Sequence, residues 1–445
     1  MTWSWRNRRA ARRTAAEKSG ELELELIIPE QFLCPISHEL MKDPVTLSTG
    51  MTYDRSNIET WIDAGNSTCP VTNQLLPNPD SSIPNHAIRK MIQHWCVQNT
   101  CRGIERIPTP KIPITSHQLS QTLSQIEAAA RRNDDQKCKE FVAKITSWAR
   151  ESDRNRRCIA ANGTAAVLSK AFDSFACRND GYAIKDGDIL QELLSGLMAT
   201  IPFHDEATNR NLSSTPSLEK LVSIMKAGSL SSRRNAVIAV KSILSFDENK
   251  AEEITKIEGA LETLVKMIKE PICPTTTKAS LLAMYHTLKS PQSAAIAARL
   301  AETGLVAALL EILAESSGRS VCEKALGVLD GLCMHGEGRL KAYENALTVA
   351  VLVKKLLRVS EVATELAISI LVKLGRHDED GETCVNVMIE ALEVGAFQKL
   401  LLLLQLGTSD VTREKLSELL RLLNLYRPNV ECTDSLDFKH LKRSF

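Results

Sequence analysis

Cys34 and Cys69 are the residues whose setting first invites a chemical reading, because each opens a short loop as a Cys-Pro pair beside apolar residues. A cysteine can serve as nucleophile, metal ligand or half of a disulfide, and its neighbours choose among the three. Neither has an adjacent histidine to form a nucleophile pair. The chain holds 12 cysteines, but they are scattered and no Cys-x-x-Cys occurs. Several fall inside apolar helical patterns, which points to reduced, buried thiols rather than disulfides. Around the two loops stand short polar residues, Ser37, Thr49, Asp54, Asn57 and Thr72, each able to bond backbone groups or one another.

The elements that position these residues follow from local signals. Residues 45–47 and 51–53 read as a hairpin through Ser48-Thr49-Gly50, with glycine free to take the positive φ of a tight turn. A helix is predicted to start at 54–56 and stop at Gly65, with Ser56 and Glu59 as a capping box. Loop, hairpin, helix and second loop, in that order, outline a RING finger. The eight zinc-ligand positions of that pattern fall on Cys34, Ser37, Thr49, Met51, Asp54, Asn57, Cys69 and Thr72. Only two are cysteines and none is histidine, whereas each structural zinc needs four such ligands. The reading is therefore that no metal is bound and a polar network replaces it.

That zinc-free substitution makes residues 28–99 resemble a U-box. The resemblance rests on an ordered set that includes Cys34-Pro35-Ile36-Ser37, Glu39-Leu40-Met41-Lys42-Asp43-Pro44-Val45, Thr49-Gly50-Met51-Thr52-Tyr53-Asp54-Arg55, Cys69-Pro70-Val71-Thr72 and Ile83-Pro84-Asn85. With the helical remainder, the chain resembles the plant U-box/armadillo-repeat ubiquitin ligases. The resemblance implies an α+β N-terminal U-box, zinc-free and RING-like, followed by an all-α armadillo-like superhelical solenoid. It implies an E3 ubiquitin ligase of the RING type, without a nucleophile or cofactor of its own, that docks a ubiquitin-charged E2 conjugating enzyme. By the same resemblance Ile36 and Pro70, expected exposed at the loop tips, flank the E2 groove and Trp61 forms its floor. Asn73 stands where the family places a donor bridging E2 and ubiquitin, often arginine, and His38 replaces a larger apolar side chain in the groove. Within the domain Leu33, Leu40, Val45, Tyr53, Ile58, Ile62 and Val71 are expected in the core. Ile88, Met91, Ile92 and Trp95 recur at helical spacing and predict a helix packed back on it.

Residues 103–117 carry Pro108, Pro110 and Pro113 and read as a linker. From 118 to 428 the periodicity is helical. A short phrase recurs before a Leu/Val-rich helix, as Asn162-Gly163-Thr164, Glu258-Gly259-Ala260 and Thr303-Gly304-Leu305, with weaker copies near Thr215, Asn345 and Gly395. The spacing, roughly 41 to 52 residues, is that of armadillo or HEAT units, each of which must stack to bury its apolar face. Residues 178–187, 203–216 and 271–274 read as interruptions, and His204, His286, His335 and His377 as surface or core histidines without a partner at ligand spacing. Residues 1–27 are a basic segment with Arg6, Arg8, Arg9, Arg12 and Arg13, read as disordered, and 429–445 form a tail.

Over 445 residues the net charge is only +1, which offers no global attraction to nucleic acid or anionic membrane. No apolar run is long enough to span a bilayer, so the cytosol is expected, with the nucleus or the membrane surface open to the basic N-terminus. Expected partners are an E2, ubiquitin and a protein substrate on the armadillo groove, with a homodimer left open. The competing reading is a non-catalytic armadillo scaffold or adaptor with a degenerate U-box. An importin-like carrier is excluded, because its repeated Trp and Asn arrays are missing: the repeats hold the single Trp148.

Overall fold

The structure is a computed structural model that describes residues 28–77, 82–107, 113–178, 188–200, 205–315, 318–376, 381–407 and 409–427. The chain divides into two units, Met1–Ile112 and Pro113–Phe445. The N-terminal basic segment, the C-terminal tail, His204 and His377 lie outside the described residues.

In the first unit Pro44–Thr46 (β1) pairs antiparallel with Thr52–Asp54 (β2), Val45 facing Tyr53, and Gly50 takes φ +82° in the turn. A two-residue strand that the sequence pattern does not predict, Ile83–Pro84 (β3), adds to the other edge of β1. Helix Arg55–Asp63 (α1) follows β2, and helix His86–Gln98 (α2) starts at Asn85, whose side chain accepts the Ile88 N–H. The expected capping box on α1 is absent. The helix starts at Arg55, and the Ser56 hydroxyl donates to Asp54 at 2.8 Å instead of capping. Val45, Tyr53, Ile58 and Ile92 are buried with Phe32, Met41 and Cys96, and Ile36, Leu40, Trp61 and Ile62 pack against them half-buried. Val71, expected in the core, is 51% exposed, because it sits in a turn where only its N–H points inward, to the Tyr53 hydroxyl. Asp43 ties the domain together by accepting from Arg55 on α1 at 2.7 Å and from Arg89 on α2.

The stretch read as a linker is shared between the units. Ile104 and Ile107 pack on the first core, and Gln93 donates to the Ile107 carbonyl. Thr115 caps helix Ser116–Arg131 (α3) with a full capping box, and Ile114 packs on the second core. The second unit continues as Asp135–Glu151 (α4), Asp153–Ala161 (α5), Thr164–Ala176 (α6), Ile189–Leu197 (α7), Glu206–Leu212 (α8), Thr215–Ala227 (α9) and Leu230–Phe246 (α10). Next come Lys250–Lys256 (α11), Ala260–Lys269 (α12), Pro274–Leu288 (α13), Ser293–Glu302 (α14), Leu305–Glu315 (α15), Arg319–Leu332 (α16) and Gly336–Tyr343 (α17). Thr348–Lys355 (α18), Glu361–Gly375 (α19), Gly381–Glu393 (α20), Ala396–Leu406 (α21) and Asp410–Tyr426 (α22) complete it. Residues 203–216 are not all loop, since they contain α8 and end inside α9, whose first turn accepts Pro216 because it needs no N–H there.

In two of the three helix sets, each helix stacks on its equivalent in the next repeat. The series α4, α7, α10, α13, α16, α19, α22 forms one row, and α3, α6, α9, α12, α15, α18 forms a second. The apolar side chains of these rows merge into one core that runs from Leu119 to Leu423. The recurring glycine has a backbone cause: Gly163, Gly259, Gly304 and Gly395 all hold φ between +69° and +83° just before α6, α12, α15 and α21. A left-handed residue turns the chain sharply from one helix into the next, and glycine adopts it without strain. At two of these corners a lysine from the preceding repeat fastens the turn, Lys226 on the Glu258 carbonyl and Lys269 on the Thr303 carbonyl.

Candidate functional site

The two Cys-Pro loops have the same backbone. Cys34 N–H donates to Glu39 O and His38 N–H to Cys34 O; Cys69 N–H donates to Gln74 O and Asn73 N–H to Cys69 O, all four at 2.8 Å. Each loop is closed by an isolated bridge, Leu33 with Leu40 and Thr68 with Leu75. Each then needs a left-handed residue, and His38 (φ 55°) and Asn73 (φ 56°) supply it. Asn and His are among the few non-glycine residues enriched there. The two positions that depart from the groove pattern thus also have a conformational role. That parallel is legible by laying Cys-Pro-Ile-Ser-His-Glu over Cys-Pro-Val-Thr-Asn-Gln.

Both sulfurs are fully buried and act as hydrogen-bond acceptors. Cys34 Sγ receives the Asp54 N–H at 3.3 Å and Asn57 Nδ2 at 3.4 Å, and Asn57 Nδ2 also reaches Ser37 Oγ at 2.9 Å. Cys69 Sγ receives the Thr49 hydroxyl at 3.4 Å and lies 3.1 Å from the Tyr53 hydroxyl. Because the Tyr53 oxygen already accepts the Val71 N–H, its own proton is free for the sulfur. Burial pushes the Cys69 thiol up, but the bonds from Thr49, Thr72 and Tyr53 outweigh it and bring the pKa down to about 6. Burial likewise opposes ionisation of Cys34, yet the N–H groups of Asp54 and Ser37 and the Asn57 amide lower it. Burial and the Cys69 sulfur together raise Tyr53. Asp54 acts on the backbone, where one carboxylate oxygen accepts the N–H groups of both Lys42 and Asp43 at 2.8 Å and pins the segment leading into β1. Thus Ser37, Thr49, Asp54 and Asn57 form hydrogen bonds around the two sulfurs, and Thr72 joins through the second loop, where its hydroxyl accepts the Gln74 N–H at 3.5 Å. Among the described residues no cluster of three or more His, Cys, Asp or Glu could hold a metal ion.

Helix α1 brings the loops to one place. Asn57 and Trp61, one turn apart on the same face, bond the first loop through Ser37 and the second through the Thr68 carbonyl, which accepts Trp61 Nε1 at 2.9 Å. Ile36 and Pro70 are half-buried, not exposed as expected of the loop tips; Trp61 on α1 is half-buried as well, and Ile36 and Trp61 also pack on the core. His38, Val71 and Asn73 are exposed beside them. What results is a partly apolar, shallow surface held rigid from below by sulfur-centred hydrogen bonds.

A family model of the U-box domain matches residues 28–101, and one described as the plant U-box protein ARM repeat region matches 118–443. Over 457 aligned residues that span both chains completely, the sequence is 40% identical to U-box domain-containing protein 21 of Arabidopsis thaliana. It is 33% identical to E3 ubiquitin-protein ligase PUB23 of the same plant, with 91% of this chain and 94% of that one covered. A chain from a solved structure of the interaction between cadherin and β-catenin superposes with a TM-score of 0.51 at 13% identity. It covers 78% of this chain and 68% of its own length, a likeness of fold alone.

Proposed function

The chain belongs to the plant U-box proteins with an armadillo repeat region, and from that membership we infer that it is an E3 ubiquitin ligase whose U-box docks a ubiquitin-charged E2. The armadillo region holds the protein substrate. Ile36, Pro70 and Trp61 form the apolar groove for the E2, with His38 at its rim and Asn73 as the donor that reaches toward E2 and ubiquitin. The observation that carries this reading is the pair of loops with matching backbone hydrogen bonds, tied to one face of α1 through Asn57 and Trp61. Ubiquitin passes from the E2 thioester to a substrate lysine without a stop on the ligase, and the burial of Cys34 and Cys69 supports this. The rate gain comes from holding thioester and lysine in reach of one another.

Self-ubiquitination of the full chain with activating enzyme, a panel of E2 enzymes, ATP and ubiquitin is the direct test. Activity with at least one E2, lost in Ile36→Ala and Pro70→Ala variants that keep their circular-dichroism spectra, is the expected result. A folded chain silent across the panel would instead be a scaffold with a degenerate U-box.

A further inference from the structure

We propose that the substrate segment seated by the armadillo region is acidic: an extended stretch whose carboxylates meet Arg234, Lys241 and Lys278 while its main chain pairs with Asn235. The proposal rests on the ligase reading above and names the class of substrate it takes.

The row of helices α4, α7, α10, α13, α16, α19 and α22 is uneven in charge. Helices α10 and α13, neighbours in the middle of the row, contain no Asp or Glu, whereas every other member contains at least one. Beyond its first turn α13 keeps only Lys278, Leu282, Tyr285 and His286 partly exposed, with Lys289 just past its end. On α10 Arg234, Ile238 and Lys241 recur at helical spacing and reach solvent on one stripe. The two stripes adjoin, since Ser245 at the end of α10 contacts His286 on α13 at 3.2 Å. Glu248 supplies the local acid, but it is already engaged by His286 and Lys289. Arg234, Lys241 and Lys278 have no carboxylate partner among the described residues.

A second observation points to a ligand beside these cations, on the α7 side of α10. A cleft of about 660 Å³ runs between α4, α7 and α10, and Asn235 lines it. Asn235 is 6% exposed, and its Oδ1 has no hydrogen-bond partner. A peptide N–H entering the cleft is the donor that this carbonyl lacks, met once the side chain turns outward. Toward α4 and α7 the cleft carries Glu151 and Glu192 as well as Arg150, so the unbalanced positive charge begins at α10.

Packed helices lie about 10 Å apart and an extended chain advances about 3.3 Å per residue. A peptide crossing the row therefore presents roughly every third residue to successive helices, so an acid between Arg234 and Lys241 on α10 is followed three residues on by one facing Lys278 on α13. Half-buried Ile238 lies between Arg234 and Lys241 and suits an apolar residue of the same segment. A nucleic-acid backbone fits less well, because three unpaired cations on two helices give it little counter-ion release.

Fluorescence anisotropy with the full-length chain tests this, using a labelled peptide with Glu at every third position and Leu or Ala between, beside its Gln and Lys counterparts. The Glu peptide should bind at least about tenfold tighter than the Gln peptide, and less so at high salt. In the doubly substituted chain Arg234→Glu/Lys278→Glu, with an unchanged circular-dichroism spectrum, that preference should reverse toward the Lys peptide. Asn235→Ala should weaken the Glu and Gln peptides by the same factor, since they share a main chain. Equal binding of Glu and Gln peptides, or a double variant that holds the Glu peptide unchanged, overturns the proposal. So does a single-stranded oligonucleotide that binds as tightly as the Glu peptide. Self-ubiquitination of the same samples keeps the two readings apart: a chain active toward itself but indifferent to peptide charge sinks only the acidic-segment proposal, and the reverse sinks only the ligase.

Discussion

At positions 38 and 73 the backbone limits the side chain before any partner does. A β-branched residue at φ near +55° carries local strain of roughly 1–2 kcal/mol, whereas glycine adopts that conformation freely. Asn73→Val should therefore lower the denaturation midpoint of the U-box, and Asn73→Gly should leave it near wild type. Because the glycine variant keeps the loop while removing the donor amide, loss of self-ubiquitination in that folded variant would isolate the proposed bridging role. Full activity there would assign Asn73 to conformation alone. The buried sulfurs make a second prediction. With Cys69 near pKa 6 in the fold and near its ordinary value of 9.0 when unfolded, the folded state favours the thiolate. Its contribution is complete above the unfolded value and is lost as pH falls through about 6, so U-box stability should rise with pH across that window. Thiolate absorbance near 240 nm, titrated in the folded chain, should show a step near 6 that Cys69→Ser removes. A step only above 8 would mean that the hydrogen bonds from Thr49 and Tyr53 do not outweigh burial.

Among elements, the helix corners separate what the sequence reveals from what it hides. The glycines before α6, α12, α15 and α21 were legible as a repeat because a left-handed turn leaves a mark in residue type. The rows of stacked helices were not, since contacts such as Asp330 with Lys373 and Glu365 with Lys415 join residues more than forty positions apart. The hairpin and both U-box helices were visible from turn and periodicity signals. Strand β3 was not, because two residues are too short to show alternation. Nor was the exposure of Val71, whose type suggests core while its turn directs it outward. Gly338 shows how tightly one corner is packed. A methyl group there would overlap the Leu332 carbonyl group, whose carbon lies 2.6 Å away and, being backbone, cannot move aside, whereas at Gly336 the nearest atom is the tip of Arg339 at 4.0 Å. Gly338→Ala should destabilise the armadillo region by about 2 kcal/mol or more, as overpacking against fixed atoms does. Gly336→Ala should change it little. Chemical denaturation followed by circular dichroism reads both, and equal midpoints would show that α16 and α17 can separate at no cost.

For the whole chain, the division into units decides how the two activities can be taken apart. The U-box core closes on itself with Ile104 and Ile107, and the armadillo core takes up Ile114 and begins at Leu119. Among the described residues each core is built from side chains of its own unit, and repeat stacks supply one another's buried faces. A fragment of residues 113–445 should therefore fold alone with a strong helical spectrum, retain the charge preference for the Glu-bearing peptide and build no ubiquitin chains. Residues 28–107 should do the opposite, self-ubiquitinating with the same E2 as the full chain while ignoring that peptide. Joining the two raises the effective concentration of substrate lysines at the E2 thioester without adding a contact. Excess armadillo fragment should then slow ubiquitination of a test protein bearing the Glu-containing segment by competing for it, and leave self-ubiquitination untouched. Equal inhibition of both reactions would mean that the fragment acts on the U-box or the E2, and that the division of labour between the units is wrong.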